Sequence, residues 1–237
     1  MKWNIKKFKE LVRFLYGHEQ LEKVKIPLNS LFWKLMLSKY HSEESKKIYR
    51  SYFSGKREEY VEATINVLLA ASGSEKANQF KEAFIFSEAH VIAYAQALHS
   101  TVDILSQIIY YSFNLKQVLT HPLYSSQISL NKIYDILTQE GIAENVTNAI
   151  EKLKKSPEFC YLQAYVNITK HRSLVDTTHR VSFQTKRYGI VIRPFEYKGD
   201  NFLQKWANDF VNQDFEEMQK RLITIGNEMN QYLEGKV

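Results

Sequence analysis

The chain has 237 residues, of which 44% are hydrophobic, 24% charged and 14% aromatic, and its formal net charge is +6. This composition is typical of a globular protein and excludes a disordered or a collagen-like chain. The single cysteine, Cys160, excludes an intramolecular disulfide and a cysteine-based zinc site. Because the N-terminal pattern is amphipathic rather than a secretion signal, we expect a cytoplasmic protein.

The charge is concentrated in two basic regions. Residues 1–60 contain 14 Lys and Arg against 7 Asp and Glu, and residues 151–200 contain 10 against 5. Basic surface favours anionic partners, of which nucleic acid is the commonest. The alternative is that this charge serves only solubility.

Helical periodicity dominates the first part of the chain, in line with only 8 Gly and 4 Pro. The pattern predicts a helix from Trp3 that ends near Gly17, a second that begins at Pro27 and a short third from Ser42. A fourth helix is predicted over 56–71, followed by a break at Ser72-Gly73-Ser74.

A long helix over 75–115 follows, and it includes the apolar stretch 90–113. This stretch contains polar residues that are costly in lipid, so it predicts a buried core helix rather than a membrane span. After a loop over 116–128, further helices are predicted over 130–138, 143–154 and 158–178, then a β-hairpin over 180–197 and a last helix over 201–233. The predicted fold is mainly α, an up-and-down helical bundle with a small β-hairpin before the last long helix. The predicted domains are an N-terminal helical extension over 1–72 and a bundle over 73–237.

Residues 167–179 carry an unusual density of polar side chains. If residues 158–178 form one helix, Asn167, Lys170 and His171 share one face, and an adjoining face carries Arg172, Asp176 and His179. Arginine donates two hydrogen bonds to a phosphate, and histidine transfers protons near neutral pH. The segment therefore predicts a site that holds or cleaves a phosphodiester. The structural alternative is an Arg172–Asp176 ion pair with histidines as caps or surface residues.

A second polar stripe lies on the long helix. Gln96, His99, Asp103, Gln107 and Tyr110 follow at steps of three and four residues, so they share one face. A buried Asp103 would need a partner, which His99 or the basic segment can supply. The stripe predicts either a polar seam between helices or a second shell, formed by His99 and Asp103, that orients the basic segment.

Other site signatures are weaker or absent. The histidines and acidic residues show no metal-ligand spacing, and no phosphate-binding glycine loop occurs, so no metal and no cofactor are expected. Basic and aromatic residues interleave in the predicted hairpin, from Arg180 to Lys198. That mixture suits single-stranded nucleic acid, and the alternative is a solvated hairpin packed on the bundle.

Over residues 75–237 the chain resembles the HEPN superfamily of helical-bundle proteins. The resemblance rests on the segments 89–105 and 167–175. Many HEPN proteins are metal-independent ribonucleases in which an arginine and a histidine, separated by four to six residues, meet across a dimer interface. Arg172 and His179 match that spacing. Ser173 stands where the family often has Asn, and the order Lys170-His171-Arg172 resembles a poorly characterised bacterial subgroup with an N-x-x-K-H-R segment.

The resemblance implies an RNA-binding or RNA-cleaving protein, a metal-independent endoribonuclease if it is an enzyme, in a defence or toxin-type system. The catalytic residues would then be Arg172, His179 and His171, with substrate bound by Asn167, Lys170 and Arg180. We expect RNA as a partner, a homodimer and no membrane association. The alternatives are a non-catalytic module whose basic face docks a protein or nucleic acid, and a scaffold in which the polar cluster only locks helices together.

Overall fold

The computed structural model of the chain describes residues 2–52, 61, 65, 75–182, 184–185 and 187–237. These residues are mainly helical, and they include small antiparallel β-sheets, as predicted. The helices are α1 (Ile5–Tyr52), α2 (Glu75–Ser112), α3 (Leu115–Val118), α4 (Leu130–Gln139), α5 (Glu144–Lys154), α6 (Pro157–His171), α7 (Ala207–Asp209) and α8 (Phe215–Glu234), with a 3-10 turn at Ser125–Gln127 and a π-helix at Phe210–Asp214. The strands are β1 (Thr177–Ser182), β2 (Arg187–Ile192), β3 (Phe195–Tyr197), β4 (Asp200–Phe202) and β5 (Lys205–Trp206).

Helix α1 is longer than the sequence predicts. The predicted helix end near Gly17 is confirmed as a kink: Gly17 lies in a non-helical conformation (φ 85°, ψ 178°), and the chain is helical again beyond it. Pro27, predicted to begin a second helix, lies inside α1. The predicted breaks before Pro27 and Ser42 are therefore wrong. Val24, Leu28 and Leu31 are buried around the proline, so packing stabilises a helix that proline alone would interrupt.

The chain divides into two compact units, both discontinuous in sequence. The first contains residues 1–36, 98–162 and 215–237, and the second contains residues 37–97 and 163–214. The predicted domain boundary at residues 72 and 73 lies outside the described residues, as does the predicted helix over 56–71 apart from Val61 and Ile65, which are helical. The two-domain partition stays a prediction.

The first unit is helical and has an aliphatic and aromatic core. Phe8, Leu105, Ile133, Ile150 and Met229 are fully buried in it. The N-terminus is held against α8 by polar contacts as well, because the Trp3 indole Nε1 donates to Asn230 Oδ1 at 3.3 Å. The Asn230 amide in turn donates to the carbonyl of Asn4 at 3.1 Å.

The second unit packs helices with the strands. Its sheet has the order β1-β2-β5, and a separate hairpin pairs β3 with β4. The core is aromatic, since the ring of Phe210 lies 5.5 Å from that of Tyr94 and 5.3 Å from that of Tyr165. The Tyr94 hydroxyl also donates to the Phe210 carbonyl at 2.9 Å. The predicted β-hairpin is confirmed as β1 and β2, with Thr177 opposite Ile192 and Ser182 opposite Arg187.

The last helix begins later than predicted. Residues 200–214 form β4, β5, α7 and the π-helix, and α8 begins at Phe215 rather than at residue 201. Lys198 and Gly199 both have positive φ, 54° and 86°, and so form a two-residue turn that closes β3 on β4. The rings of Phe195 and Phe202 stack across this hairpin at 5.1 Å. Turn geometry and cross-strand packing thus replace the helix predicted from apolar spacing alone.

Helix α6 also ends earlier than predicted, at His171 instead of near residue 178. Residues 172–176 are non-helical, and β1 begins at Thr177. The β-branched residues Val175, Thr177 and Thr178 favour extended backbone. The carbonyl of Asp176 accepts a hydrogen bond from the backbone N–H of Arg193 at 2.8 Å, which ties this segment to the end of β2.

Candidate functional site

The predicted polar segment is divided between a helix end and a strand. Asn167, Lys170 and His171 lie in the last turns of α6, whereas Asp176 lies in the connection and His179 in β1. The predicted face of Arg172, Asp176 and His179 on one helix is therefore wrong. Lys170, His171 and Arg172 are exposed, so this cluster of basic residues is open to solvent.

Asn167 is half-buried, and its side chain is engaged by its own helix. Its amide nitrogen donates to the carbonyl of Gln163 at 2.8 Å. This bond turns one end of the amide toward the backbone of α6. Asn167 is therefore placed to shape the helix end rather than to offer both amide groups to a ligand.

Arg172 is the first residue after α6 and contacts the second hairpin. Its guanidinium carbon lies 5.6 Å from the centre of the Tyr197 ring, and the Lys198 ammonium lies 5.4 Å from the same centre. Both distances fall within the range in which a cation is attracted to an aromatic ring. Among the described residues no carboxylate lies within salt-bridge distance of either cation. We call Arg172, Tyr197 and Lys198 the Tyr197 patch.

His179 occupies a different environment. Its ring packs edge-on against Phe80 at 5.3 Å, and burial lowers its pKa from 6.5 to about 4. The imidazole is therefore neutral at neutral pH, whereas a general acid or base works best with a pKa near the working pH. This position fits a core histidine better than a catalytic one.

Arg180 follows His179 in β1 and lies on the opposite face of the strand. It is exposed, and its guanidinium donates to Gln204 Oε1 at 2.8 Å. On the face of His179, the Thr177 hydroxyl donates to Glu88 of α2 at 2.8 Å. The strand thus turns one face toward α2 and leaves Arg180 on the other.

His99 and Asp103 belong to the first unit. The ring of His99 stacks on that of Phe159 with the planes 9° apart and the centres 6.2 Å apart. Asp103 is exposed, so the expectation of a buried carboxylate is wrong. The second-shell role of both residues stays a prediction.

Two features of the second unit were not singled out from the sequence. The first is the contact between Arg172 and Tyr197. The alternation of basic and aromatic residues in the predicted hairpin did not indicate which of them come into contact. The second is a contact between His41 and His90, whose Nδ1 atoms lie 2.9 Å apart. Burial, and then the charge of His90, lower the pKa of His41. Nothing in the local spacing marks this pair.

The described part of the chain contains no group of three or more His, Cys, Asp or Glu side chains arranged to hold a metal ion. Within those same residues, no helix is both long enough and apolar enough to cross a membrane. Comparisons with protein-family models, curated proteins and solved structures gave no match for this chain. The HEPN resemblance accordingly stays a prediction.

Proposed function

We propose that this protein binds single-stranded RNA through the Tyr197 patch and the neighbouring exposed side chains of Lys170 and His171. One observation carries the proposal: the Arg172 and Lys198 cations lie 5.6 and 5.4 Å from the centre of the same aromatic ring. Both cations are exposed, and the ring is half-buried. An aromatic ring flanked by cations supplies stacking for a base and counter-charge for its phosphates.

The charge around the patch favours a polyanion. Residues 163–200, which belong to the second unit, contain 7 Lys and Arg against 3 Asp and Glu. The guanidinium of Arg172 offers a planar pair of donors for a phosphate, and Lys198 acts as a point charge. Glu196 and Asp200 are exposed in the same hairpin and weaken the local field. We therefore expect binding that is moderate and sensitive to salt.

Binding without cleavage is the form of this proposal that the side chains support best. Cleavage would need His179 as a proton-transfer group, but its ring is packed against Phe80 and its pKa is about 4. His171 is exposed directly beside Arg172, and this adjacency favours metal-independent cleavage as a second candidate. A homodimer, a cytoplasmic location and a defence or toxin role belong to the same proposal.

Fluorescence anisotropy with a labelled single-stranded RNA tests the proposal. The variants Arg172→Gln and Tyr197→Leu should each weaken binding by about five- to twentyfold, the range expected for one lost cation or one lost stacking ring. Tyr197→Phe should bind like the unmodified chain, because its ring is retained. Arg172→Gln should also lower the slope of log affinity against log salt by about 0.7, the value for one phosphate contact on a single strand.

Arg13→Gln is the matched control, because Arg13 is an exposed arginine of the first unit. If Arg13→Gln weakens binding as much as Arg172→Gln does, only net charge matters and the proposed site is wrong. Gel analysis of the same RNA in a chelator tests the second candidate. Cleavage that His171→Gln abolishes and His179→Gln retains would favour it over binding alone.

A further inference from the structure

A cavity of about 480 Å³ opens in the first unit, between α1, the end of α2 and the loop at residues 122–124. Its volume falls within the roughly 300–1,000 Å³ of small-molecule sites in proteins. The lining combines lysines with tyrosines, a mixture that suits a ligand with both a ring and a negative charge. All of the lining residues belong to the first unit, so this cavity is separate from the Tyr197 patch.

Two hydrogen bonds hold the walls of this cavity. The Gln20 amide of α1 donates to the carbonyl of Tyr111 in α2 at 2.5 Å. The hydroxyl of Tyr110, which is buried, accepts the backbone N–H of Leu123 at 3.1 Å and so ties the loop to α2. These bonds tie α1, α2 and the loop to one another, so contacts within the protein hold the walls of the cavity.

Two cations line the cavity. Lys23 extends from α1 and pairs with Glu19 at 2.6 Å, and Lys116 extends from α3. The hydrogen bond from Lys23 is the main cause of the lowered pKa of Glu19, and the charge of Lys116 acts in the same direction. Both ammonium groups therefore act on one small region, and the described lining residues include no Asp or Glu. Across the described residues no carboxylate lies within salt-bridge distance of Lys116.

The aromatic part of the lining is accessible. Tyr124 is 77% exposed, so its ring is free to cover a planar ligand. Its backbone N–H donates to Gln127 Oε1 at 2.9 Å, which fixes the loop that carries it. Deeper in the cavity, the rings of Tyr110 and Tyr111 meet edge to face at 5.4 Å.

We propose that this cavity binds a small aromatic anion, one planar ring that carries a carboxylate or a phosphate. The ring packs against Tyr124, and the anionic group lies between Lys23 and Lys116. Calorimetric titration of the full chain with phenyl phosphate and with benzoate tests both halves of the ligand. Benzyl alcohol supplies the ring without the charge, and inorganic phosphate supplies the charge without the ring.

We expect saturable binding of at least one aromatic anion, with benzyl alcohol and inorganic phosphate each at least about tenfold weaker. Lys116→Gln and Tyr124→Ala should each weaken binding by about five- to tenfold, the usual range for one exposed ionic or aromatic contact. Tyr124→Phe should bind like the unmodified chain, as should Lys132→Gln, which replaces an exposed lysine of α4 outside the lining.

Three results overturn the proposal. The first is that neither aromatic anion binds saturably, and the second is that inorganic phosphate binds as tightly as phenyl phosphate. The third is that Lys132→Gln weakens binding as much as Lys116→Gln does. Lys116 and Tyr124 are exposed, so their replacement should leave the thermal unfolding of the chain unchanged.

Discussion

The indole ring of Trp3 lies against the Cα atom of Gly226, in the space that any larger residue at position 226 would fill with its Cβ. Gly226 sits inside α8, where glycine is normally less favourable than alanine by about 1 kcal/mol. Trp3 is also hydrogen-bonded to Asn230, one turn further along the same helix. The glycine is therefore required for close approach of the N-terminal segment, at some cost to the helix.

Gly226→Ala should consequently lower the free energy of unfolding by about 1–3 kcal/mol, the usual cost of overpacking, as measured by urea denaturation. Gly235→Ala is the matched control, because a Cβ there meets only ordinary contacts with the backbone of α8. In a Trp3→Ala background the substitution at Gly226 should become neutral or stabilising. An equal loss in both backgrounds would contradict this explanation.

The buried His179 predicts a loss of stability in acid. Its pKa is about 4 in the folded chain and 6.5 in the reference state, so the unfolded chain binds a proton first as the pH falls. Its stabilising contribution is fully present above pH 6.5 and is lost as the pH falls toward 4. The loss between pH 7 and pH 5 should be about 2 kcal/mol. His41, whose pKa is also lowered, acts in the same direction.

Urea denaturation of the unmodified chain and of His179→Phe at pH 7 and pH 5 measures this contribution. The variant keeps an aromatic ring beside Phe80 and should lose much of the pH dependence. His121→Gln, a replacement in an exposed loop, should leave the pH dependence as it is. If His179→Phe behaves like the unmodified chain at both pH values, His179 is not the group that titrates.

An ion pair between Lys205 and Asp214 joins β5 to the π-helix, and Lys205 Nζ lies 2.7 Å from Asp214 Oδ2. Asp214 is buried, so removal of the Lys205 cation takes charge compensation away from a carboxylate that water solvates poorly. Lys205→Met should therefore lower the free energy of unfolding by about 3 kcal/mol. The double variant with Asp214→Leu should recover much of that loss, and a further loss in chemical denaturation would refute the interpretation.

Apolar periodicity predicted the positions of most helices because a helix buries one face, and that face recurs every three to four residues. The predicted ranges 130–138 and 143–154 agree with α4 and α5 to within one or two residues. Periodicity did not predict the end of α6, because the pairing of β1 with β2 decides where the helix stops. Nor did it predict that α1 continues through Pro27, where buried neighbours stabilise the helix.

Prediction of the candidate site met the same limit, because the sequence shows which residues are neighbours along the chain but not which distant residues come into contact. The sequence predicted a basic cluster at Lys170, His171 and Arg172 because these three residues are consecutive in the chain. The contact of Arg172 with Tyr197 joins residues 25 positions apart in sequence, and no local spacing predicts it. His179 shared a face with Arg172 only while a single helix was assumed; in the strand, its ring packs against Phe80.

The turn at Lys198 and Gly199 has a consequence for recognition. A connection of two residues with both φ angles positive closes β3 tightly on β4, so the backbone position of Tyr197 is set when the protein folds. A ligand that stacks on this ring then binds without ordering the hairpin itself. The entropy lost on association is correspondingly smaller.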